Sequence, residues 1–89
     1  MDIEFDPAKS ERNRRERGFG FEDADGFDFT TALIWVDSRR AYPETRYAAL
    51  GFVQGRLHAL VFMETQAGIR VISFRKANAR EIRLHARHR

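Results

Sequence analysis

IRVISFRKANAREIR, residues 69–83, is the stretch from which both the fold and the chemistry of this chain are read. Ile69, Val71, Ile72 and Phe74 follow the alternation of a strand, and the run ends in Arg75 and Lys76. It then passes through Ala77-Asn78 into a helix that carries Arg80, Arg83 and Arg87. Asn78 followed three residues later by Glu81 is an N-cap with its reciprocal partner, which marks the helix start. A strand end and a helix start thus bring guanidinium groups to one place. That suits a polyanion, and nucleic acid is the polyanion it suits best.

The segments upstream supply the rest of a sheet. In Arg56–Glu64, Leu57, Ala59, Val61 and Met63 share one face, while Leu60 and Phe62 make the other face apolar as well. Such a run predicts a central strand covered on both sides. The short turn at Gln66-Ala67-Gly68 joins it to Ile69–Arg75 as a hairpin. Leu33–Val36 is a β-branched and aromatic run, and Arg46–Gly51 follows the turn-like Tyr42-Pro43-Glu44. Near the start, Ile3-Glu4-Phe5 is a short strand closed by Asp6-Pro7. Asp at the N-cap with Pro at the first helical position predicts a helix over Pro7–Arg17, very polar, with Glu11 and Arg15 four apart and Gly18 as its stop. Phe21-Glu22-Asp23-Ala24 predicts a second helix, limited to about two turns by Gly26. The order β-α-α-β-β-β-β-α gives an α+β class: an antiparallel sheet flanked by helices.

Composition bounds the answer. At 89 residues, with no repeat and no dividing linker, residues 1–89 form a single domain with a small core. A formal net charge of +3 says little, but its distribution says more. Residues 1–30 hold nine acids and five bases, whereas residues 75–89 hold one acid and six bases. The basicity is local, as phosphate binding requires. No cysteine is present, which excludes disulfides, thiolate zinc sites and cysteine nucleophiles. The opening MDIEFD is acidic where a signal peptide is basic and then apolar. No apolar run approaches the ~20 residues of a membrane span, so a cytoplasmic protein without membrane contact is expected.

No P-loop, GxGxxG, HExxH or nucleophile elbow occurs. His58, His85 and His88 lack metal-ligand spacing: His58 is expected as a satisfied sheet histidine, and the other two as surface residues near a fraying terminus. Glu22, Asp23, Asp25 and Asp28 are expected as a solvated helix end, and no metal or cofactor is expected. Arg46, Arg70, Arg75 and Arg80 are placed on strands or at a strand-to-helix junction, which can hold them rigidly. Singly, each arginine reads equally well as half of a surface salt bridge with Glu44, Glu64 or Glu81. As a group they outnumber the acids nearby. Arg70 has opposite strand parity to Ser73 and Arg75, so one must point away unless a bulge intervenes.

These residues also resemble a known family. DPAKSERNRRERGFGFEDA at 6–24, Glu44-x-Arg46 before the strand ending in Gly51, GRLHALVFME at 55–64 and IRVISFRKANAREI at 69–82 are similar, in that order, to the BrnT toxins. The matching positions include Glu44, Arg46, Arg70, Ser73, Arg75, Lys76, Ala77 and Glu81. The resemblance implies a RelE-like fold and an endoribonuclease toxin of a bacterial type II toxin–antitoxin pair that arrests translation. It also implies neutralisation by a BrnA-type ribbon-helix-helix antitoxin, in a hetero-oligomer that binds its operator DNA. Carried onto this chain, it makes Arg46, Arg70 and Arg75 the catalytic candidates, with Lys76, Arg80 and Arg83 binding RNA. Two departures stand out: His85 lies near a position where many relatives have Tyr, and Gly20 where they often have Ser or Thr.

RNA cleavage without a metal needs charge stabilisation at phosphorus, which fixed guanidinium groups supply. It also needs a base, for which Glu44, Glu64, His58 and His85 are the candidates. The alternative readings are a basic RNA- or ribosome-binding module without turnover, and an interaction protein whose basic patch holds an acidic partner.

Overall fold

A computed structural model describes residues 1–88 of the chain. Within them the strands are β1 (Asp2–Glu4), β2 (Leu33–Val36), β3 (Tyr47–Val53), β4 (Arg56–Glu64) and β5 (Gly68–Lys76). The α-helices are α1 (Pro7–Arg17) and α2 (Ala79–Arg87). One sheet holds all the strands in the order β1-β5-β4-β3-β2. The two-sided apolar run is therefore its middle strand, with the Ile69–Arg75 segment beside it. Three hairpin pairings are antiparallel, but β1 runs parallel to β5, with Ile3 opposite Ile69. The expected antiparallel sheet is thus a mixed one. Three residues of β1 carry too little pattern to announce which edge they join.

The stretch after Gly20 also departs from expectation. Phe21–Gly26 is a 3-10 helix instead of an α-helix. Phe21, Ala24 and Phe27 are all buried, and their spacing of three matches three residues per turn, which aligns them on one face. With Phe19, Phe29 and Phe5 they cover one face of the sheet, over Leu60, Phe62, Ile69, Val71 and Phe74. Gly51 is required at this contact, because a Cβ there would overlap the ring of Phe27.

α1 is attached differently. It has no apolar stripe, and its buried residues are Ser10 and Asn13. The Ser10 hydroxyl accepts from the Phe21 amide at 2.9 Å and donates to Glu22 at 2.9 Å, while Asn13 Nδ2 donates to the Phe19 carbonyl at 3.0 Å. Hydrogen bonds to the next loop hold this helix, each worth about 0.5–1.5 kcal/mol net. Its ends follow the sequence: the Asp6 carboxylate accepts from the Ala8 amide, and Gly18 closes it at φ 90°. Among the described residues no helix is long and apolar enough to cross a membrane.

The opposite face of the sheet is only partly covered. α2 lies over Leu50, Leu57 and Ala77, with Leu84 packed against them. His85 does not sit on a frayed surface. It is buried, its Nε2 lies 2.9 Å from the Thr31 carbonyl, and its ring meets Phe52 edge-on. The correction has a simple cause: His85 follows Leu84 on the side of α2 that faces the sheet.

The junction of β5 and α2 is fixed by one carboxylate. Asn78 Oδ1 accepts from the Glu81 amide, and Glu81 Oε1 accepts from the Asn78 amide, both at 2.9 Å. The same carboxylate takes Arg75 Nη1 and Nη2 at 2.8 and 2.9 Å. The Arg75 guanidinium, more than the Asn78 amide, holds the Glu81 carboxyl below its usual 4.5. Stability from this group is therefore present above that value and is lost as pH falls through the depressed folded value. Urea unfolding followed from neutral pH into acid should show a loss of stability that Glu81→Gln lacks. A second variant tests the packing: Gly51→Ala should destabilise the fold by about 1–3 kcal/mol, the usual cost of overpacking. Its thermal midpoint should fall accordingly.

Candidate nucleic-acid interface

The parity problem posed by Arg70 and Arg75 is resolved by a register shift. Val61 pairs with Ser73 but Phe62 pairs with Val71, so Ile72 is an extra residue in β5. On either side of it the same face is kept. Arg70 sits opposite Met63, Ser73 opposite Val61 and Arg75 opposite Ala59, all odd-numbered positions of β4. All three side chains lie on the face not covered by the phenylalanines.

Arg46 is not a strand residue, since β3 begins at Tyr47. Its carbonyl accepts from the Asp37 amide at 2.8 Å, which continues the β2–β3 ladder by one step. Its guanidinium carbon stands 4.1 Å above the Tyr42 ring centre, a cation–π contact that fixes it near the strand entry. Arg70 is half-buried, with Glu4 Oε1 4.0 Å from its Nη1. Arg70 and Arg75 share a face but not a point. Their partners Met63 and Ala59 are four positions apart on β4, about 13 Å along a strand.

Around Arg75 a groove of about 290 Å³ opens between the free part of this face and the start of α2. Its floor includes Ala48, Ala59 and Val61, and its walls carry Trp35, Arg39, Arg75 and Arg80. Arg39 and Asp37 were not singled out by sequence reasoning. Asp37 is buried, with a side chain only 3 % exposed, and accepts from Arg39 Nε and Nη2 at 2.8 Å each. The Arg39 guanidinium holds the Asp37 carboxyl below its usual value, with a smaller contribution from Arg46. The signal that could have found the pair is an Asp two residues before an Arg at the end of a strand. Arg75 is bound in the same way by Glu81, whose contact raises its guanidinium pKa while Arg39 opposes. Two carboxylates thus orient two guanidinium groups on opposite walls, and Arg80 adds a third cation.

The other expected RNA-binding residues separate. Arg83 is exposed on the outer side of α2, one turn beyond Arg80 and outside the groove. Lys76 pairs with His58 and therefore lies on the opposite face of the sheet. There it lines a second cavity, with Glu22, Asp23, Asp25, Arg56 and His58. His58 is the satisfied sheet histidine expected: buried, with Nδ1 2.8 Å from the Arg56 carbonyl and its ring stacked on Phe74. Burial pushes its pKa down, and the charges of Lys76 and Arg56 add to that. Three of the acidic residues at 22–28 are engaged locally. Glu22 pairs with Arg14, Asp23 accepts from the Gly20 amide, and Asp28 accepts from the hydroxyls of Thr30 and Thr31. Among the described residues no three His, Asp or Glu side chains gather in a geometry that could hold a metal ion.

A family model matches residues 5–81 of the chain, that of the BrnT ribonuclease toxin of type II toxin–antitoxin systems. No curated protein and no solved structure matches the chain significantly. The matched span contains β2 to β5, the groove and the capped start of α2. The chain belongs to the BrnT family, ribonuclease toxins of type II toxin–antitoxin systems, a class that acts on RNA and is paired with an antitoxin protein.

Proposed function

We propose that this chain is a metal-independent endoribonuclease that cleaves RNA in the cytoplasm, arrests translation and is silenced by a BrnA-type ribbon-helix-helix antitoxin in an operator-binding complex. The observation that carries the catalytic part is the register shift at Ile72, which sets Arg70, Ser73 and Arg75 on one uncovered face. Arg46, Arg70 and Arg75 are the catalytic candidates, and Arg39 and Arg80 line the same groove as Arg75. Lys76 lies on the other face and Arg83 outside the groove, so the phosphate grip falls to Arg80 with Arg39.

In the reaction a ribose 2′-oxygen attacks the adjacent phosphorus. The new 2′-O–P bond forms as the P–O5′ bond breaks, and the 2′-proton leaves while the 5′-oxygen gains one. The upstream fragment ends in a 2′,3′-cyclic phosphate. The dianionic transition state carries more charge on its non-bridging oxygens than the ground state does, so guanidinium groups fixed in advance stabilise it preferentially. Glu81 fixes Arg75, Asp37 fixes Arg39 in the same groove, and Arg46 is held over the Tyr42 ring. An arginine already held by one edge gives up little freedom when it grips phosphate with another.

Proton transfer contributes less in this reading. A base works best with a pKa near the working pH. Asp37 and Glu81 are both held below the ordinary carboxylate value by their arginines. His58 and His85 are buried away from the groove, the first on the opposite face and the second against Thr31. Glu64 lines a separate apolar cavity with Phe29 and Phe62. Glu44 is exposed in the turn before Arg46 and does not line the groove, so charge stabilisation by arginine carries the larger share.

The test is cleavage of naked RNA by purified protein, with the products examined for 2′,3′-cyclic ends. Arg70→Ala should lower the rate about 100- to 1,000-fold, the usual loss for one transition-state donor. Arg75→Ala should do the same but also lower stability, because it leaves Glu81 without its main partner. Arg75→Lys should recover part of the rate, since it keeps the charge and loses the fork. Arg12→Ala, on the exposed side of α1, is the control and should be neutral. Retained RNA binding without any cleavage by the wild-type protein would favour the non-catalytic module. For the antitoxin, association should slow as salt rises, because its acidic groups are steered by Arg39, Arg75 and Arg80. A salt-independent rate in stopped-flow mixing would place the contact elsewhere.

A further inference from the structure

We propose that Trp35 is the stacking platform for one nucleobase of single-stranded RNA, a subsite at the edge of the groove that rests on the ribonuclease reading above. Trp35 exposes 42 % of its surface although it belongs to a strand. Its flanking residues Ile34 and Val36 are exposed as well, but successive strand side chains point to opposite faces. The side chain of Trp35 therefore faces away from those of Ile34 and Val36, although Val36 also borders the groove. Its neighbours on its own face are the groove's floor and its cations.

The floor leaves room for a flat ring. Across the sheet from Trp35 the row runs through Ala48 and Val61 to Ser73, all small or short side chains. Ala59, one cross-strand pair further along β4 on this face, continues the trough. The groove's volume, about 290 Å³, is at the lower end for ligand sites and suits a single base better than a whole cofactor. Arg39 borders the groove with Trp35 from the segment after β2, and Arg75 and Arg80 stand on the far wall. Three strand spacings separate the β2 and β5 walls, about 14 Å at the backbone, narrowed by these long side chains. A base on the indole thus places its own phosphates toward guanidinium groups on either side.

The occupant is chosen by charge. An aromatic surface alone would serve any apolar partner, but this one is flanked by three guanidinium groups, two of them oriented by Asp37 and Glu81 and the third, Arg80, adding a further cation. Aromatic stacking beside a cationic track is how single-stranded nucleic acids are held without sequence preference. Stacking would also explain why a large indole is kept on an otherwise aggregation-prone edge strand.

Trp35 is the chain's single tryptophan, so its fluorescence reports the subsite directly. The probe is a short 2′-O-methyl oligoribonucleotide, which cannot be cleaved and so separates binding from turnover. Titration should quench the indole to saturation. Trp35→Ala should weaken binding of a labelled oligonucleotide about 5- to 100-fold by anisotropy, with an unchanged circular dichroism spectrum, and Trp35→Phe should retain most of the affinity. An abasic oligonucleotide of the same length should bind the wild type more weakly and bind Trp35→Ala as the normal one does. Binding with no quenching, or equal affinity for the abasic probe, would overturn the proposal while leaving a ribonuclease reading intact. Quenching by the antitoxin alone, with none from oligonucleotide, would overturn it in favour of a protein contact. Quenching with no cleavage of ordinary RNA would uphold the subsite and sink the catalytic reading.

Discussion

Between Val61 and Phe62 the ladder joining β4 to β5 slips by one residue, and that slip assigns the two faces of the sheet. Strand side chains alternate with a strict period of two, so a single unpaired residue exchanges the faces for everything beyond it. Ile69 and Val71 before the shift and Phe74 after it all reach the aromatic core. Arg70 before it and Ser73 and Arg75 after it all reach the open face. With Ile72 paired in regular alternation, Arg70 and Arg75 would lie on opposite faces, and the core would lose either Phe74 or both Ile69 and Val71. Core and candidate site are thus set by the same irregularity.

The two faces are covered by different physics. One is sealed by phenylalanines of the 19–29 segment, packed at edge-to-face and tilted angles around Phe62 and Phe74. Burial of this kind is stabilised by about 25 cal/mol per Å² of apolar surface. The other face is sealed at one end only, by α2, and the uncovered remainder is floored by short side chains. α1 contributes little to either. It is tied to the Phe19–Glu22 loop through Ser10 and Asn13, so its polar surface is no obstacle to its position.

Electrostatically, the groove is a set of oriented cations more than a plain positive patch. Asp37 and Glu81 each spend both carboxylate oxygens on one arginine. The cost is a reduced net charge. The gain is direction: guanidinium groups held at opposite walls lose less entropy on meeting a phosphate than free surface arginines do. This arrangement also accounts for the low pKa of both acids and for their poor suitability as bases.

Local sequence determined much of the molecule. The capping residues Asp6, Gly18, Asn78 and Glu81 fixed where both α-helices begin and where the first one stops, because caps act within one turn. The two-sided apolar pattern of Arg56–Glu64 fixed the central strand, and the short turn after it fixed its partner. The arginine-rich stretch 70–80 marked the candidate site, since no nearby acids could neutralise it all. What remained depended on contacts far apart in the chain. The three-residue β1 joined β5 in parallel, a choice that its length could not encode. The period-three spacing of Phe21, Ala24 and Phe27 had its meaning only once there was a sheet for them to cover. Arg70 and Arg75 came to share a face through a slip in pairing, Lys76 left them for the same reason of parity, and His85 was buried because α2 docks on Phe52. Trp35 on β2 and Arg39 in the segment after it entered the groove from nearly forty residues upstream of Arg75. Periodicity and capping are local and can be read from neighbours, but which cations meet across a sheet is decided by register, and register is a property of the folded whole.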